Sequence, residues 1–192
     1  MMAEAQFRKG DFIEASATWN YILRLYATQP RITQVARARL ARCYVALEWP
    51  YDAEDVLRRM GRDSLTFKAS RERTNTEAAY YLLTEQYDEA VPRLEHVVKH
   101  TKGRIRRARL NFLLGQLYNQ QGEKQKAYKA LSKVIAANPP YEMSFAARVL
   151  QTEVMGRDKY KQMIRRLRRM AKDENNVNRS RSEERRVGKE CR

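Results

Sequence analysis

The sequence predicts an all-α fold, a right-handed solenoid of stacked antiparallel helix pairs. Three observations carry that expectation. The chain of 192 residues is 43% apolar yet holds only seven Gly and five Pro, a composition that favours helices over turn-rich β-structure. Apolar residues recur at helical spacing between short breaks. The same pattern of small, aromatic and bulky positions also returns along the chain, the mark of a repeat architecture.

Residues 112–140, FLLGQLYNQQGEKQKAYKALSKVIAANPP, set the register. Its Leu114, Gly115, Tyr118, Ala127 and Leu131 fall, 37 residues earlier, on Glu77, Ala78, Tyr81, Ala90 and Leu94. A second step of 37 lands on Leu40, Ala41, Tyr44, Ala53 and Leu57, and a further 38 reaches Gln6, Ala15 and Trp19. Small residues at two slots let paired helices approach closely, while Tyr and Leu fill the space between them.

The register divides the chain into units 1–33, 34–70, 71–107, 108–140 and 141–174, each a helix pair. The first unit is expected to be entered part-way through its opening helix. Turns within the pairs are marked by Lys9-Gly10-Asp11, Trp49-Pro50-Tyr51-Asp52, Gln86-Tyr87-Asp88 and Gln121-Gly122-Glu123. Asp11, Asp52 and Asp88 are expected to cap the second helices, and Pro92 to sit in a first turn. Pro30 and Pro139-Pro140 separate units. Phe145, Val149 and Val154 continue the pattern into the fifth unit, and Tyr160, Met163, Ile164, Leu167 and Met170 form a stripe on its second helix. Residues 175–192 lose apolar periodicity and read as a disordered basic tail. Within it, RSEERRVGKECR looks like a translated adapter or vector tract, so residues 180–192 are treated as a sequencing artefact.

The net charge of +16 falls to +14 when the five Lys/Arg and three Glu of residues 180–192 are removed. Such a balance raises nucleic acid or an anionic membrane surface as partners. The basic runs RIRRAR (104–109) and RRLRR (165–169) are read instead as solvated helix faces, because stacking aromatics are not interleaved with them. Two cysteines, Cys43 and Cys191, exclude a disulfide framework. His96 and His100 share a helix face, but LEHVVKHTK is no HExxH and the chain holds no third His. Glycines are isolated, so no phosphate loop is formed. No enzyme, no cofactor and no small-molecule substrate are expected.

The pattern resembles the tetratricopeptide repeat, a unit of about 34 residues. Residues 108–140 match best, with Asn111 replacing the early aromatic and, in the third unit, Glu77 replacing the usual Leu. The resemblance implies that the first helix of each unit lines a concave groove that binds protein partners. Carried onto this chain, the groove positions include Arg42, Asn75, Arg109, Phe112, Gln116 and Asn119. The Lys/Asn clamp that some members use for C-terminal carboxylates is not reproduced, since its slots hold Ala38, Arg42, Thr76, Arg109 and Leu113.

A narrower resemblance rests on GDFIEASATWNYI, ARLARCYVALEWPYDAEDVL, NPPYEMSFAARVLQTEVMG and RRMAKDEN. These stretches are similar to the repeat region of gliding-motility and type IX secretion-associated tetratricopeptide lipoproteins of Bacteroidetes. That resemblance implies a longer parent, tethered to the outer membrane on the periplasmic side by a lipid anchor missing from this chain. With no signal in the fragment, a cytoplasmic location stays open. The expected activity is that of a non-enzymatic scaffold; the alternative is a basic repeat protein that binds nucleic acid or an anionic membrane.

Overall fold

The computed structural model describes residues 2–61 and 64–155, together with Gln162, Ile164, Arg165, Arg168 and Arg169. Within 2–155 the described secondary structure is entirely helical: α1 (Met2–Lys9), α2 (Phe12–Leu25), α3 (Pro30–Ala46), α4 (Pro50–Met60), α5 (Phe67–Leu83), α6 (Tyr87–His100), α7 (Arg104–Gln120), α8 (Lys124–Ala136) and α9 (Tyr141–Val154). The all-α repeat fold is therefore as the sequence predicts. The second helix expected over 159–171 lies outside the described residues, save for the five named above, which are helical.

The repeat is more regular in backbone than in sequence. First helices begin at Pro30, Phe67, Arg104 and Tyr141, each 37 residues after the last, and α3, α5 and α7 are all 17 residues long. They start four residues ahead of the unit boundaries at 34, 71 and 108, because Pro30 and the Thr66 cap open helices before the apolar pattern begins.

One turn closes every complete pair. Glu48, Glu85 and Gly122 take the left-handed conformation, at φ of 59°, 58° and 77°. The next residue's N–H then reaches back to the tyrosine slot: Trp49 to Tyr44 O, Gln86 to Tyr81 O and Glu123 to Tyr118 O, at 2.9, 2.8 and 2.8 Å. The left-handed residue itself donates to Val45, Leu82 and Asn119 O, which completes a Schellman motif. Gly10, at φ 97°, and Asp11 make the corresponding turn between α1 and α2.

That motif changes the roles expected of the acidic residues. Asp11 occupies an N-cap position but makes no capping bond, and instead pairs with Lys9 at 3.1 Å. Asp52 and Asp88 lie inside the first turns of α4 and α6, where a negative charge suits the helix dipole. Pro92 is the sixth residue of α6, in its second turn rather than its first.

The described residues fall into two compact units, divided between Lys102 and Gly103. In the first, α2 packs between α1 and α3, α3 meets α4 and α5, and α5 rests on α4 and α6. Its core joins Ala3, Ala15, Trp19, Ala36, Leu40 and Cys43 in one cluster and Ala41, Ala53, Leu57 and Tyr80 in another, with Tyr44 and Val56 touching both. In the second, α8 packs on α7 and α9, and α7 also touches α9. A Cβ added to Gly115 would lie 2.8 Å from the Leu131 side chain, so the α7–α8 approach requires the missing methyl.

Candidate functional site

On α7, Arg109, Phe112, Gln116 and Asn119 follow one another at steps of three, four and three, which places them along one side of the helix. Arg109 and Gln116 are exposed, while Phe112 and Asn119 are half-buried. The opposite positions Ala108, Asn111, Leu114, Gly115, Leu117 and Tyr118 are buried, so packing fixes which side is left for a ligand. The result is an apolar patch framed by a guanidinium and two amides, able to take an apolar side chain and bond the backbone beside it.

The two candidates in the first unit fare differently. Asn75 is exposed on α5. Arg42 on α3 is half-buried, its guanidinium 4.2 Å from the centre of the Phe7 ring on α1. A cation–π contact of that kind already occupies it, so Arg42 supports α1 against α3. The clamp slots Ala38 and Thr76 are buried, and the Thr76 hydroxyl donates to Ala38 O at 3.1 Å. These two cannot reach a ligand.

Sequence reasoning missed a ladder of charge across the first helices of this unit. Arg39 on α3 lies 3.5 Å from Glu4 of α1 and 3.4 Å from Glu72 of α5, with all three side chains mostly buried. The same guanidinium lies over the Trp19 ring at 5.4 Å. Register averaging hides such a residue, because the slot of Arg39 holds Thr76 in the next unit and Leu113 in the one after. Gln34 was missed for the same reason. Buried on α3, it donates to Ser64 O at 2.8 Å and accepts from the Thr66 N–H at 3.0 Å, holding the end of the loop before α5.

Glu77, the departure from the expected Leu, is a half-buried ion centre. Arg73 Nε lies 2.8 Å and Arg93 Nε 3.4 Å from its carboxylate, and Arg93 also bonds Glu89 at 2.6 Å and covers the Tyr81 ring at 4.4 Å. The network joins α5 to α6 at a slot that holds Leu40 and Leu114 in other units.

Cys43 is fully buried, and burial pushes its thiol up to about 11, with Arg42 pulling it down and Glu4 adding to the rise. A protonated, enclosed thiol is no nucleophile at neutral pH. The rings of His96 and His100 are 4.2 Å apart on the exposed side of α6, and the described residues contain no group of three His, Cys, Asp or Glu placed to hold a metal ion. Of the basic runs, Arg104, Arg106, Arg107 and Arg109 are exposed at the start of α7. No described helix is long and apolar enough to cross a membrane.

Comparison with known proteins agrees with this geometry. The family model for the tetratricopeptide repeat matches residues 108–141. No curated protein matches the sequence significantly. Nearly identical TPR-like repeats from a Podosopora anserina protein assigned as a kinesin light chain superpose with a TM-score of 0.60 at 21% identity, covering 89% of this chain and 92% of that one. MamA gives 0.53 at 20% identity, over 90% of this chain and 98% of that chain. Residues 108–141 are thus a tetratricopeptide repeat, set in a chain that has the all-α fold of such repeat proteins.

Proposed function

We propose that this chain is a non-enzymatic scaffold that binds segments of partner proteins along its first helices. The observation that carries the reading is the α7 side, where Phe112 lies between Arg109 and Gln116 with packing already satisfied behind it. Helices present these groups on backbone that is already ordered, and a few aromatic and Arg contacts supply most of the affinity at such surfaces. The finer reading places the scaffold in a periplasmic secretion or gliding-motility assembly, held to the outer membrane through a lipid anchor. It is supported by the resemblance of NPPYE and RRMAKDEN to that lipoprotein family.

The test uses a peptide selected against the whole chain. Hydrogen exchange should slow on α7 when the peptide binds, and Phe112→Ala or Arg109→Glu should weaken it about tenfold or more. Peptides that protect only other helices and ignore both substitutions would remove the α7 proposal. A second reading is favoured by the four exposed arginines at the start of α7: capture of nucleic acid or an anionic membrane. Binding to RNA or acidic vesicles that falls steeply between about 50 and 200 mM salt would favour it over the first.

A further inference from the structure

The outward side of α2 is unlike that of the other second helices. Its exposed residues are Ile13, Glu14, Ala17, Tyr21, Arg24 and Leu25, with Ile13, Tyr21 and Leu25 at 62%, 64% and 57% exposure. Ile13, Ala17, Tyr21 and Leu25 step by four and form one apolar row along the helix. The slot of Tyr21 is filled by Arg59 in α4, His96 in α6 and Lys133 in α8, all exposed. An apolar row at that position is therefore not a requirement of the repeat.

From this side we infer that α2 is a self-association surface, on which a second copy of the same chain docks antiparallel about a two-fold axis at the level of Trp19. The six exposed residues carry the argument, because reversal about residue 19 exchanges them among themselves. Ile13 faces Leu25 of the other copy, small Ala17 faces large Tyr21, and Glu14 faces Arg24. Each contact is made twice, as an isologous interface requires, and every charge meets its opposite. Parallel pairing would set Tyr21 on Tyr21 and Glu14 on Glu14. Neither Glu14 nor Arg24 forms an ion pair within the described residues, so both are free to bond across the seam. One helix side buries less than the roughly 800 Å² per partner of a standard interface, so the dimer is a weak one.

Sedimentation equilibrium of the full chain, up to about 1 mM, tests the surface. A concentration-dependent monomer–dimer equilibrium is expected. Tyr21→Glu should weaken it at least about tenfold while the helical circular dichroism is kept, since the side chain is exposed. Glu14→Arg or Arg24→Glu alone should also weaken it, and the double reversal should restore it. A chain that stays monomeric throughout, a dimer that ignores Tyr21→Glu, or a double reversal that fails to recover overturns the inference. The reversal pair separates self-docking from any other occupant, because only a second copy supplies the complementary swap.

Discussion

At the scale of single residues, the tightest constraint is the missing methyl of Gly115. Its slot holds Ala41 and Ala78 in other units, so alanine is acceptable to the architecture, yet here a Cβ would meet Leu131 at 2.8 Å. Gly115→Ala gains helix propensity but forces a fully buried leucine to move, so a net loss of about 1–3 kcal/mol is expected in urea unfolding. A stabilised Gly115→Ala chain would contradict that packing. Cys43 carries a pH dependence. Folding raises its thiol from 9.0 to about 11, so its neutral form is favoured in the folded state. The contribution is complete below pH 9 and is lost as pH rises through about 11, on the order of 2–3 kcal/mol. Cys43→Ala should start less stable and lose less between those two pH values; an equal loss in both chains would exclude the thiol as a cause.

Elements show where local strain is tolerated. The three Schellman turns need a left-handed residue at one position, and two of the three use glutamate there. L-residues resist that conformation by about 1 kcal/mol. Glu48→Gly and Glu85→Gly should therefore raise stability by a few tenths to about 1 kcal/mol, and Gly122→Ala should lower it by about 1. Thermal melts of the three variants check both signs together. The α5–α6 pair poses a different question at Glu77. Glu77→Ala leaves Arg73 and Arg93 without their shared carboxylate and should cost about 1–3 kcal/mol, whereas elsewhere a Leu in this slot is harmless. Full stability in Glu77→Ala would make the network ornamental.

For the molecule as a whole, charge and repetition act together. A net charge of +16 opposes compaction through self-repulsion, so raising salt from about 0.05 to 0.5 M should raise the melting temperature. A fall on adding salt would mean that the Glu4–Arg39–Glu72 and Glu77 networks outweigh the repulsion. The repeat itself was readable from composition and spacing, because stacked helices bury the same slots in every unit. That periodicity named the fold, the two small slots, the tyrosine and the turns. It misjudged what differs from unit to unit: Asp11, Asp52 and Asp88 as caps and Pro92's place in its helix; it also gave no sign that Arg42 rests on the Phe7 ring. The ladder through Arg39, the clamp by Gln34 and the ring under Arg42 join residues 30 to 35 apart in sequence, and no period marks them. Local pattern fixes helices because their hydrogen bonds are local. Which charged side chain is consumed by packing, and which stays open to a partner, depends on contacts between helices, and those exist only once the chain has folded.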